Sequence, residues 1–403
     1  MNAAIVLIAA HILSMLGFAT FAALLPELRD LWRLSNAEAG LIASAFFAGY
    51  VATVSYWTAL TDRADGRRVY LAGCLLAAAG GVGFGWAADG LASGMLFHVL
   101  LGAGVAGTYM PGLRLLSDHT SGPLQSRYIA FYTSFFGIGM AISLALAGLL
   151  APVYGWRSAF LVSAAGPLCA GLAVFFLVEK TIIEAKAKSA FSFATLFPVP
   201  AWRKVLAGRA AAGYTLGYTV HCIELFGSRA WMVAFLAYSA GLQAAGRAFP
   251  WDFAAIAAAV NLLAVPASIF GNEIALRIGR RQWIQIAMFG SGAAGIALAF
   301  CGALHWSIVI LLLIVYSMLV MAESATLTAG LVAAVPAELR GAALGLYSLA
   351  GFTGGMLGPS LFGVALDLAG GKAAGAAWVW AYAAIGAGCL AAPLVVRLFA
   401  KSR

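Results

Sequence analysis

The sequence predicts an all-α membrane protein of twelve transmembrane helices, arranged as two six-helix halves related by pseudo-symmetry. Three observations predict it. The 403 residues are 63% hydrophobic and only 10% charged, whereas a soluble domain is about 25% charged. So much apolar surface needs the bilayer as its solvent. Apolar runs of spanning length recur along the whole chain. Two short basic turns also repeat: Asp62-Arg63-Ala64-Asp65-Gly66-Arg67-Arg68 and Leu276-Arg277-Ile278-Gly279-Arg280-Arg281. Gly66 and Gly279, Arg67 and Arg280, and Arg68 and Arg281 are each 213 positions apart. A fixed offset between two halves marks a duplicated membrane protein.

A span needs about 20 apolar residues. Spans are expected over 3–25, 37–60, 69–88, 93–116, 128–150 and 157–178, and then over 212–240, 252–275, 283–303, 306–331, 342–366 and 375–396. The first opens without basic residues, so it reads as a span and not as a cleavable signal peptide. Residues 179–211 are the longest polar stretch, carrying Glu184, Lys186 and Lys188 among others. They form the expected cytoplasmic loop between an N-terminal bundle, 1–178, and a C-terminal bundle, 212–403. Placing the N-terminus inside puts 17 of the 24 lysines and arginines on the cytoplasmic side and 5 on the outer side. That asymmetry predicts a cytoplasmic (inner) membrane protein with both termini cytoplasmic.

The net charge of +9 does not indicate nucleic acid, because the basic residues form short clusters between spans with no aromatic-basic face. Five cysteines lie in apolar segments without a Cys-x-x-Cys, so they read as buried small residues and not as a metal site or disulfide framework. No phosphate-binding Gly-x-x-x-x-Gly-Lys-Ser/Thr occurs, and no paired carboxylates or His/Asp cluster suggest a membrane-embedded enzyme. The expectation is no cofactor, no metal and no catalysis.

The first basic turn resembles the Gly-x-x-x-Asp-Arg-x-Gly-Arg-Arg loop of the major facilitator superfamily, through Asp62, Arg63, Gly66, Arg67 and Arg68. Thr58 replaces the opening glycine, and one extra residue precedes Gly66. Gly155-Trp156-Arg157-Ser158-Ala159-Phe160 is similar to the family's Gly-Trp-Arg-x-x-Phe. The fourth span resembles its Arg-x-x-x-Gly-x-Gly motif, with His98 in the arginine's place before Gly102 and Gly104. The Gly-Pro of the family's drug antiporters is missing from the fifth span, and the general texture is nearer the nitrate/nitrite or cyanate porters. The resemblance implies alternating access about a site between the halves, lined by spans 1, 4, 7 and 10. Asp62 and Arg63 read as a gating latch or as simple topology anchors, and Gly66, Arg67, Arg68, Gly279, Arg280 and Arg281 as parts of the same cytoplasmic motif or as topology anchors.

A charge at the bilayer centre costs about 2.5–3.5 kcal/mol on insertion scales, so intramembrane charges mark function or buried pairs. Arg114, Glu224, Arg229 and Glu323 all fall on spans 4, 7 and 10, as do His98 and His221, and His11 lies on span 1. The 213-residue offset equates His11 with Glu224 and sets Arg114 near the level of Glu323. His98 reads as interfacial. Arg114 and Arg229 are candidates to hold an anionic substrate through forked donors, with Tyr109 and Tyr218 lining the pocket. Glu224, Glu323, His11 and His221 are candidates to carry a coupling proton. The competing reading of Arg229 and Glu224 is a structural pair, although spacing puts them about 140° apart on one helix. The expected function is secondary transport of a small organic or inorganic anion with proton coupling, by a monomer in the lipid bilayer. The alternative is proton antiport of drug-like or cationic compounds.

Overall fold

The computed structural model describes residues 2–180, 196–244 and 248–395. Glu184, Lys186 and Lys188 of the expected loop, and Arg247, Arg397, Lys401 and Arg403 of the charge count, lie outside the described residues. Every regular element among the described residues is helical. Eleven helices among the described residues are long and apolar enough to cross a membrane.

The difference from twelve lies in the first expected span, which is two helices: α1 (Ala3–Ser14) and α2 (Thr20–Leu31). Twelve helical residues cover about 18 Å, short of the roughly 30 Å hydrocarbon core. Backbone groups freed at a break inside a membrane need other partners. Here Ser143 Oγ accepts from the Ala19 N–H at 3.0 Å, and the Thr20 hydroxyl donates to the Leu16 carbonyl at 3.3 Å. Ser14 donates back to the His11 carbonyl at 2.8 Å.

Next come α3 (Asn36–Thr61), α4 (Gly66–Ala87), α5 (Leu91–Asp118), α6 (Gly122–Tyr154) and α7 (Trp156–Leu177). The short α8 (Val199–Ala207) lies in the expected loop and leads into α9 (Arg209–Gly241), α10 (Phe253–Ile278) and α11 (Arg280–Phe300). The tenth expected span is α12 (Trp306–Ala322) and α13 (Ser324–Ala334), which meet at Glu323. They are followed by α14 (Arg340–Leu368) and α15 (Gly375–Leu390).

Packing groups the chain into two compact units, Met1–Leu24 with Ala45–Phe197 and Leu25–Ser44 with Pro198–Arg403. In the first unit α4 packs mainly on α5 and α7. The approach is so close that a Cβ on Gly104 would stand 2.1 Å from the Ala77 backbone nitrogen, the small-residue contact that brings helices together in lipid. In the second unit α9 packs mainly on α14.

The segment Leu25–Ser44 joins the second unit for a reason the sequence pattern did not show. The Asp367 carboxylate accepts from the Asn36 N–H at 3.2 Å, the Asn36 side-chain amide at 2.7 Å and the Ala37 N–H at 2.7 Å. It therefore caps α3, meeting donors that the first turn of a helix leaves unpaired. Arg29 donates to Asn36 Oδ1 at 2.9 Å, and Lys372 pairs with Asp30.

Candidate functional site

In the first unit, α1 places His11 against α5 and α6. Its ring stacks on Tyr132 at 4.2 Å between centroids and tilts against Tyr109 at 5.3 Å. The ring is 0% exposed, and neither nitrogen has a hydrogen-bond partner among the described residues. Tyr132 fixes the wall by donating to the Tyr109 carbonyl at 3.1 Å. A buried imidazole with unused hydrogen-bonding capacity is exceptional. His98 is also buried, at 5.1 Å from the Phe21 ring and 5.3 Å from Phe84.

Arg114 lies one turn before the C-terminal end of α5, its side chain 55% exposed. Its guanidinium pairs with Asp118 at 3.0 Å and Asp62 at 3.4 Å. α5 has 28 residues, more than the about 20 that a span needs. Asp118 then stands four residues on, on the same face. Through Asp62, Arg114 is tied to the first basic turn.

That turn is built around Asp65, which accepts from the Arg67 N–H at 3.1 Å to cap α4. Arg67 also donates to the Asp65 carboxylate at 2.8 Å and to the Val178 carbonyl, beyond α7, at 3.0 Å. Burial would raise the Asp65 carboxyl. The side-chain and backbone hydrogen bonds of Arg67, with the charges of Arg67 and Arg68, outweigh it and hold the group below the usual carboxylate range. The second turn has no such acid. Gly279 turns the chain with φ of 97°, a conformation suited to glycine, and Arg280 opens α11 directly. The turns match in sequence but differ in construction.

The second unit holds the buried ionisable groups. His221 and Glu323 come together from α9 and the α12–α13 joint, with Nδ1 and Oε1 3.0 Å apart. His221 is 1% exposed and Glu323 0%. His221 Nε2 and Glu323 Oε2 have no further partner among the described residues. The joint is braced on both sides. Trp283 Nε1 donates to the Ala322 carbonyl at 3.0 Å, and a Cβ on Gly271 would meet that carbonyl oxygen at 1.9 Å.

One turn along α9, Glu224 faces Ser291 of α11. Ser291 Oγ lies 2.7 Å from Glu224 Oε2 and 2.9 Å from the Met288 carbonyl. A hydroxyl has one hydrogen and donates to one acceptor at a time. Both contacts are filled when Glu224 carries a proton and donates to Oγ, which donates on to Met288. Arg229 points elsewhere: its guanidinium is 3.5 Å from the Met321 sulfur and has no carboxylate within ion-pair distance among the described residues. It does not pair with Glu224, in line with their spacing. Tyr218 stacks on Tyr347 at 3.8 Å and on His221 at 5.7 Å.

Sequence reasoning missed Ser291, Tyr347 and Tyr132. Each is a hydroxyl residue in an apolar span, and only the neighbouring helix gives it meaning. No cluster of metal-ligating side chains occurs among the described residues.

The sequence matches the Major Facilitator Superfamily over residues 7–359. A niacin transporter of Acinetobacter baylyi is 28% identical over 131 residues, 32% of this chain and 30% of that protein. A 4-hydroxybenzoate transporter of the same organism is 28% identical over 158 residues, 39% of this chain and 34% of that protein. The chain thus spans about a third of the length of these curated relatives. Among solved structures, a bacterial homolog of the human lysosomal transporter Spinster, inward-facing and unoccupied, superposes with a TM-score of 0.76 at 15% identity, covering 99% of this chain and 95% of that one. The apolar helices, the basic loop motif and the family match over residues 7–359 lead to one conclusion: the chain is an integral membrane protein that belongs to the Major Facilitator Superfamily.

Proposed function

We propose that the protein moves a small organic or inorganic anion by secondary active transport with proton coupling. It acts as a monomer in the cytoplasmic membrane with both termini inside. The observation that carries this reading is the half-buried Arg229 guanidinium, on the same helix as Glu224 and His221 but, among the described residues, without a carboxylate to neutralise it. Its forked donors suit a carboxylate or oxyanion. The curated relatives are named for niacin and 4-hydroxybenzoate. Both are aromatic carboxylic acids, which makes aromatic carboxylates the first anions to test, with Tyr218 and Tyr109 as candidate ring contacts. Glu224, hydrogen-bonded to Ser291, and the His221–Glu323 pair are the proton carriers of this reading, and His11 supplies a further titratable ring.

The test is uptake of labelled benzoates, nicotinate, nitrate and cyanate into proteoliposomes under an imposed pH gradient. Arg229→Gln lowers uptake by about tenfold to a hundredfold, the range of a lost hydrogen bond to a charged group. Glu224→Gln and Glu323→Gln retain solute exchange between the two sides but lose gradient-driven accumulation. Accumulation by all three variants at the wild-type level overturns the residue roles.

A further inference from the structure

A groove of about 280 Å³ opens in the second unit between the ends of α9, α11, α13 and α15 that lie on the side of the second basic turn. Its walls are almost wholly apolar, including Gly217, Val220, Met288, Leu327 and Ala391. Among the described residues, Arg281 is the one charged residue that lines it. Along α9 the wall runs from Ala210 to Val220, about 15 Å at 1.5 Å per residue. Leu216, on that wall, is 43% exposed, so the groove is not sealed by the protein's own packing.

We propose that this groove binds one acyl chain of an anionic phospholipid, with Arg281 holding the lipid phosphate. Shape and charge both point to this occupant. A narrow apolar slot parallel to a membrane helix accommodates a hydrocarbon chain and offers almost nothing to a polar solute. A guanidinium at the membrane-surface end of such a slot complements a phosphate, as basic pockets between membrane helices do. Arg280, the neighbouring residue, has a buried Nε without a hydrogen-bond partner among the described residues, a second donor at the same end. The deep end of the groove reaches Met288, whose carbonyl accepts from Ser291 beside Glu224. A bound chain there keeps water from that layer. The proposal stands independently of the transported solute.

The experiment uses full-length protein stripped of lipid in detergent. Phosphatidylglycerol or phosphatidylcholine with identical chains is then added back, and retained lipid is counted by native mass spectrometry. Wild-type protein retains the anionic lipid about fivefold better, the preference that one arginine beside an anionic headgroup supplies. Arg281→Gln retains both lipids equally, and Arg281→Lys restores most of the preference. Ala391→Phe fills the slot and lowers retention of both lipids. Arg68→Gln, the matching change in the first unit, alters neither, and inorganic phosphate alone does not displace the lipid. Equal retention of the two lipids by wild-type protein overturns the proposal, as does a preference that survives Arg281→Gln or full retention by Ala391→Phe.

Discussion

At the scale of single residues, partners decide what each charge does. Arg114 and Arg229 look alike in the sequence, each an arginine within a long apolar stretch. Arg114 meets two carboxylates at an exposed helix end, whereas Arg229 meets a methionine sulfur. Asp65 carries a prediction at this scale. Its folded carboxyl is held below the ordinary range, so its stabilising contribution is complete above the unfolded value of about 3.9. That contribution is lost as pH falls through the lower folded value. Thermal stability in detergent therefore declines below about pH 4, and Asp65→Asn reduces stability at pH 7 and flattens that decline. An unchanged acid profile in the variant removes Asp65 from the account. Asp65→Ala also loses the helix cap and costs about 0.5–2 kcal/mol.

At the scale of elements, the joints carry more information than the helices. Glu323 lies where the tenth span breaks, and its position depends on the Ala322 carbonyl being held by Trp283 against Gly271. The contact at Gly271 is with backbone, which cannot swing aside. Gly271→Val destabilises the protein by about 1–3 kcal/mol, the usual cost of overpacking, and disturbs transport because it moves Glu323. Melting and uptake measured on the same preparation check both effects. The Asp367 cap on α3 gives a second prediction. Asp367→Ala removes acceptors for the Asn36 and Ala37 N–H groups and lowers stability by about 0.5–2 kcal/mol. Asp367→Asn retains one acceptor and loses less. Equal melting temperatures for the three proteins exclude the cap as a stabilising contact.

At the scale of the whole molecule, the membrane class, the helical architecture and most span positions were legible in the amino-acid order, because hydrocarbon permits only self-satisfied backbone and excludes charge. The candidate groups His11, His221, Glu224, Arg229 and Glu323 were legible for the same reason: an ionisable residue in an apolar run is conspicuous. The break in the first span was not, because Ser143 and Thr20, which make it tolerable, are distant in sequence and ordinary in type. Neither was the grouping of Leu25–Ser44 with the second unit, which depends on Asp367, more than 300 residues away. The sequence by itself determined the solvent, the fold and the short roster of chemically able side chains. Only the tertiary structure decided which of them meet, since pairing such as His221 with Glu323 or Ser291 with Glu224 is set by helix packing and breaks in the backbone, to which one-dimensional periodicity is blind.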